Sequence, residues 1–201
     1  MDTFLPLLAE KILSVAAGLL IFTAQVILLN DVIKNKISPG LLSWIGWSLL
    51  MGTSLISQIL DAGWQWSLMG LLISTLGCLA IFFTAWKLNN YLFKKSDWTF
   101  LFLGLVCLII YLKSKDPWLT TGFAILADFI VGIPTLLHAL NQPKTQKTNA
   151  WLLGLISWAI TLIICFGNSW LYALFPIYLF LYNIAMVILT HRIQGELKVK
   201  K

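Results

Sequence analysis

One carboxylate, Asp128, stands inside the otherwise apolar run "ADFIVGIPTLLHALNQPKTQ", and a proline, Pro134, follows it by six residues. An ionised Asp at the centre of a membrane costs on the order of 2.5–3.5 kcal/mol on insertion scales, so such a residue invites chemistry with protons, cations or a polar solute. No Lys or Arg lies at a similar depth in any apolar run of the chain. The expectation is a largely neutral carboxyl that exchanges a proton when a cavity opens; the alternative is a structural acid hydrogen-bonded to a neighbouring helix. Pro134 has no N–H for the carbonyl of Ile130 and presses on that turn, which makes it a candidate hinge. Pro176 is a second break in a later apolar run.

Other polar and aromatic residues in the apolar runs could complete a binding pocket. Gln25 is hard to satisfy within its own helix, and Ser14, Thr23 and Gln58 are candidates for the same cavity. Asn183, with Tyr182 and Tyr178, offers a donor, an acceptor and aromatic walls. Trp47 and Trp158 sit deeper than interface anchors and could present stacking surfaces. The candidate substrate-binding set is therefore Asp128, Asn183, Gln25, Trp47, Trp158 and Tyr182, with Pro134 and Pro176 as hinges. His138 and His191 fall near the ends of apolar runs and read as interface residues.

These residues need helices that cross a bilayer. The 201 residues are 59% hydrophobic and only 11% charged, against roughly 25% charged for a soluble domain. Apolar runs near the length of a membrane span recur along the chain. Helices are expected at 10–30, 40–60, 66–86, 97–113, 118–140, 150–167 and 170–190. Breaks fall at "NDVIKNKISPG", "KLNNYLFKKSD", "KSKDP", "NQPKTQKTN" and "FGNSW", which are polar, basic or rich in Pro and Gly. Trp64, Trp66, Trp98, Trp118, Trp151 and Trp170 lie near span ends, where indoles favour the interface. The start "MDTFLPLLAEK" carries two acids and lacks a basic leader with a cleavage site, so the first span is expected to stay in the mature protein. Cys78, Cys107 and Cys165 fall inside apolar runs without metal spacing and read as buried thiols.

With seven spans, one side of the membrane carries Lys11, Lys113 and Lys115, and the other carries the remaining eleven of the fourteen basic residues. The positive-inside rule then puts the N-terminus outside and the C-terminus in the cytoplasm of a multi-pass cell-membrane protein. This one-sided distribution in loops and tail also accounts for the net charge of +6 without nucleic acid.

The chain repeats itself. "NDVIKNKISPGLLSWIGW" (30–47) lies over "NQPKTQKTNAWLLGLISW" (141–158), pairing Asn30 with Asn141, Lys36 with Lys147 and Trp47 with Trp158. Beyond a shift in offset, Trp64 pairs with Trp170 and Thr84 with Thr190. The fold expected is therefore an all-α polytopic membrane protein with two parallel three-helix repeats joined by a linker helix. The first bundle covers 10–88, the linker 97–113, the second bundle 118–192, and 193–201 is a basic tail of this single membrane domain. A 3+1+3 layout of parallel repeats related by an axis along the membrane normal resembles the SWEET sugar transporters and the wider PQ-loop group. The stretch "IPTLLHALNQPKTQKTNAW" resembles the family's helix-to-loop signature. In the first half "TAQVILLNDVIKNKISPGLLSW" corresponds to it, with Thr23 in place of the proline and "AQ" at 24–25 echoing the "PQ" pair. The pocket asparagines of the sugar transporters have no counterpart in span 3, and Ile177 follows Pro176 where one would stand.

The resemblance implies transport of a small polar solute, a sugar or similar metabolite, by alternating access between two bundles, with proton linkage through Asp128 as an option. The alternative is a non-transporting SWEET-like sensor or an integral subunit of a larger complex. No HExxH, GxSxG or phosphate-cradling loop is present, so no enzyme chemistry and no metal or other cofactor is expected. The last span has no lysine for a retinal Schiff base. The partners expected are the small-molecule substrate and the lipid bilayer, with a homo-oligomer left open.

Overall fold

The computed structural model describes residues 7–62, 68–113, 116–165 and 170–191. Trp64, Trp66, Lys115 and the basic tail lie outside the described residues, as does the side chain of Gln58. Seven α-helices follow one another: α1 (Leu7–Ile33), α2 (Leu41–Ala62), α3 (Met69–Leu88), α4 (Asp97–Lys113), α5 (Pro117–Asn141), α6 (Ala150–Cys165) and α7 (Trp170–His191). A short 3-10 turn, Pro143–Gln146, joins α5 to α6. The protein is an all-α membrane protein. Four helices are long and apolar enough to cross a bilayer, and α2, α4 and α6 contribute shorter apolar stretches.

Local sequence explains where the helices stop. Asn35 and Asn89 adopt left-handed backbone (φ 53° and 57°) just beyond α1 and α3, a conformation that asparagine tolerates better than most residues. The Asp116 carboxylate caps α5 by accepting from the Trp118 and Leu119 N–H groups at 2.8 and 3.2 Å, with Pro117 in the first turn. Proline there gives up an N–H that had no helical partner.

Packing follows the repeat. In the first triplet α3 packs against both α1 and α2, and in the second α7 packs against both α5 and α6. The triplets meet reciprocally: α1 against α6, and α2 against α5. First helix on second helix in both directions is the pattern that an axis between equivalent halves produces. The linker α4 lies mainly along α5 and also touches α2. Gly46 of α2 and Gly104 of α4 both face Val131, and a Cβ at either would come within 2.4 Å of its methyls. Small residues permit the close helix approach that membrane packing relies on.

Large apolar side chains point outward from every helix, among them Leu19, Phe102 and Leu181 at 61%, 66% and 57% exposure. That distribution suits lipid as the surrounding solvent. The polar residues gather inside and at one end, where the 34–40, 89–96 and 142–149 segments meet.

Candidate functional site

A cavity of about 70 Å³ lies between the triplets. By the roughly 10–15 Å³ that one water requires, it has room for several. Six of the seven helices line it, each through one face. Helix α1 supplies Ile21, Ala24, Gln25 and Leu28, a helical stripe at spacings of three and four. Helix α2 gives Trp44, Trp47 and Met51, α3 gives Ser74 and Cys78, and α5 gives Asp128. Helix α6 adds Ala150, Trp151, Gly154 and Trp158, and α7 adds Leu179, Tyr182 and Asn183. All six residues expected to bind substrate therefore face one space.

Asp128 lies about 16 Å along α5, near its middle, and is 2% exposed. The Tyr178 hydroxyl donates to its Oδ2 at 2.7 Å. The Trp47 indole donates to its backbone carbonyl at 3.2 Å. One turn further, the Tyr182 hydroxyl donates to the Gly132 carbonyl at 3.0 Å. Tyrosines four apart on α7 thus meet residues four apart on α5, which fixes the register of the two helices. Gly132 makes room for this: a Cβ there would stand 2.9 Å from Tyr182 Cε2 and 3.1 Å from Trp47 Cζ2.

Each triplet also fits an amide side chain onto a glycine. Gln25 of α1 lies over Gly77 of α3, where a Cβ would be 2.5 Å from its Cδ. Asn183 of α7 lies over Gly154 of α6, where a Cβ would be 2.6 Å from its Oδ1, while its Nδ2 donates to the Leu179 carbonyl at 2.8 Å. Several buried polar atoms around the cavity have no hydrogen-bond partner in the protein: Asp128 Oδ1, Gln25 Oε1, Ser74 Oγ and Trp44 Nε1. Among the described residues no Lys, Arg or His lines the cavity. The aromatic walls interlock, with Trp44 and Trp47 edge to face at 5.3 Å and Trp47 and Tyr182 edge to face at 5.6 Å.

Some residues lie elsewhere than expected. Thr23 faces outward and its hydroxyl donates to Leu19 of its own helix at 2.8 Å, the common fate of Thr in a membrane helix. Ser14 is buried but away from the cavity. Trp151 is not an interface anchor. It is 7% exposed, lines the cavity, and donates to the Gln146 carbonyl at 3.0 Å. His138 is buried rather than interfacial, with Nε2 4.0 Å from Asp97 Oδ2. His191 is exposed at the end of α7. Cys78 and Cys107 are buried and Cys165 is half-buried. The helices α5 and α7 continue through Pro134 and Pro176, both buried.

Trp44, Trp151, Ser74 and Cys78 are cavity residues that sequence reasoning missed. A signal existed for the tryptophans. Trp44 stands three before Trp47, and Trp151 seven before Trp158 with Gly154 between, so each pair shares a helix face. Ser74 and Cys78 carried no comparable mark.

At the basic end, loops from both halves interlock. The Ser38 N–H donates to the Thr145 carbonyl at 2.9 Å, and Gln146 Nε2 donates to the Ser38 carbonyl at 2.6 Å. Thr148 Oγ1 donates to Asp31 Oδ2 at 2.8 Å, and Lys36 pairs with the other oxygen at 3.5 Å. Asn90 Nδ2 donates to the Val32 and Ile37 carbonyls, and Leu92 exchanges backbone hydrogen bonds with Pro39 and Leu41. These hydrogen bonds join the two halves at this end. Comparison with protein-family models, curated proteins and solved structures finds no match for this chain.

Proposed function

We propose that this chain is a SWEET-like membrane transporter of a small polar solute, working by alternating access between two three-helix bundles. The observation that carries the reading is the cavity itself. It lies at the seam where α1 meets α6 and α2 meets α5, lined by Asp128, and loops of both halves are joined at the basic end. A solute held there contacts both bundles, so rocking one against the other would change the side to which it is open. Pro134 and Pro176 weaken the backbone ladder of α5 and α7 next to the cavity, which makes them the hinge candidates. The interlocked end carries Lys34, Lys36, Lys94, Lys95, Lys144 and Lys147, and the positive-inside rule makes it cytoplasmic in a cell-membrane protein with its N-terminus outside. In the state described the two halves are then joined on the cytoplasmic side.

Cys78 provides a native reporter, since it lines the cavity and is 2% exposed. In a Cys107→Ser, Cys165→Ser background reconstituted in sealed vesicles, membrane-impermeant thiol reagents are expected to label Cys78 slowly from either side. Labelling from one side only, or from neither, would exclude alternating access. Proton linkage is read from uptake by wild type and Asp128→Asn across pH. Equal pH-dependence in the two would remove Asp128 as the coupling group.

A further inference from the structure

We propose that the cavity takes a small organic monocation: an ammonium group on a compact polar body. For movement across the membrane this rests on the transport reading above, but for binding it stands alone. Asp128 is the one ionisable carboxyl among the lining residues, and no basic side chain lines the cavity with it. Tyr178 satisfies Oδ2, whereas Oδ1 is buried with no partner. A carboxylate enclosed by apolar and aromatic walls needs a cation or several donors to hold its charge. The protein supplies one hydroxyl.

The second bare acceptor is Gln25 Oε1, on the opposite triplet. Both residues line one cavity, and two unpartnered acceptors beside it suit a group with several N–H donors and disfavour an anion. Ser74 Oγ and Trp44 Nε1, also unpartnered, leave donors for a hydroxyl or carbonyl on the rest of the solute. The walls agree with the charge. Trp44, Trp47 and Tyr182 join edge to face at 5.3 and 5.6 Å, an arrangement that turns aromatic surfaces at right angles to one another around the space. Aromatic faces attract ammonium groups through the ring quadrupole, more so when water is excluded. The volume of about 70 Å³ suits a solute of a few heavy atoms.

The test uses the purified full-length chain in detergent and follows tryptophan emission and thermal stability. The probes are ethanolamine in its ammonium form, its neutral near-isostere n-propanol, acetate and glucose. Ethanolamine is expected to bind saturably, and about tenfold or more tighter than n-propanol. Asp128→Asn should erase that preference while leaving the weak binding of n-propanol in place, and Asp128→Glu should restore part of it. If Asp128→Asn does not fold, Gln25→Leu carries the test, with an expected several-fold loss for ethanolamine only. The proposal is overturned if n-propanol, acetate or glucose binds as well as ethanolamine. It is equally overturned if nothing binds, or if the variants bind ethanolamine like the wild type. Ethanolamine binding without uptake into proteoliposomes would sink transport and leave this site standing. Glucose uptake without ethanolamine binding would do the reverse.

Discussion

Replacing Gly132 by alanine adds one methyl at the point where α5, α7 and α2 meet. The new Cβ would lie 2.9 Å from Tyr182 Cε2, 3.0 Å from its hydroxyl and 3.1 Å from Trp47 Cζ2. Neither ring can retreat freely, because Tyr182 is 7% and Trp47 5% exposed and each is packed edge to face on the other. Overpacking of this kind costs about 1–3 kcal/mol. Displacing Tyr182 also weakens its hydrogen bond to the Gly132 carbonyl, about 1 kcal/mol more. Alanine returns about 1 kcal/mol through helix propensity. The net loss is therefore about 1–3 kcal/mol, roughly 2–12 °C in melting temperature for a chain of this size. Gly122, in the same helix, is the matched control, since a Cβ there meets nothing within 4 Å. Gly122→Ala should leave stability unchanged or raise it by about 0.5–1 kcal/mol. The assay is thermal unfolding in detergent, with the tryptophan emission spectrum recorded on the folded protein. A Gly132→Ala protein that melts with or above Gly122→Ala, with an unshifted spectrum, would refute the packing account of this junction.

Four further outcomes are expected. Gly154→Ala should push Asn183 off its seat, since the Cβ would lie 2.6 Å from Oδ1; adding Asn183→Ala should recover stability rather than lose more, a coupling measurable by a double-mutant cycle. The pair Ser38→Cys and Thr145→Cys, whose backbones are joined by a 2.9 Å hydrogen bond, should form a disulfide that abolishes uptake until reductant is added, while native Cys78 and Cys107 stay buried. Thr148→Val should cost about 1–3 kcal/mol by leaving the buried Asp31 Oδ2 without its hydroxyl donor. Lys36→Met should cost no more than about 1 kcal/mol, because the Lys36 side chain is 61% exposed and its ion pair is screened. Thermal melts of the two variants compare these directly.

The helices were legible because lipid requires it: runs of apolar residues broken by Pro, Gly, Asn and Lys have few other readings. Expected spans such as 97–113 and 118–140 differ from α4 and α5 by a residue at most at each end. The isolated polar residues Asp128, Gln25 and Asn183 were legible as cavity candidates for the same reason, since each is costly against lipid. Individual orientations were not. In "AWLLGLISW" the spacing puts Trp151 and Trp158 on one helix face, but a uniformly hydrophobic run does not say whether that face turns inward, as Trp151 does to reach the Gln146 carbonyl. Thr23 shows the converse: a hydroxyl can satisfy itself on its own helix and face outward. His138 was misplaced because its neighbour Asp97 comes from a distant helix start. Sequence proximity carries no trace of such a pair.

Polar satisfaction in this protein is uneven, and the unevenness bears on whether the seam is fixed or moves. Around the cavity Asp128 Oδ1, Gln25 Oε1, Ser74 Oγ and Trp44 Nε1 lack hydrogen-bond partners, although most buried polar groups in folded proteins have them. Towards the basic end Ser43 Oγ and Thr135 Oγ1 also lack hydrogen-bond partners, and His138 Nε2 has only Asp97 Oδ2 at 4.0 Å. A seam that served only to hold a subunit together would be more stable with apolar residues at these places. The loop face, by contrast, is joined across the halves by the hydrogen bonds Ser38–Thr145, Gln146–Ser38 and Thr148–Asp31. At about 0.5–1.5 kcal/mol net for each such bond, the three bonds of this polar closure amount to about 1.5–4.5 kcal/mol. Two conformations separated by a few kcal/mol are both populated, and a ligand that prefers one can reverse their order. On the transport reading proposed above, the unsatisfied groups would give a solute something to bind, and the closure is weak enough for that binding to decide whether it holds.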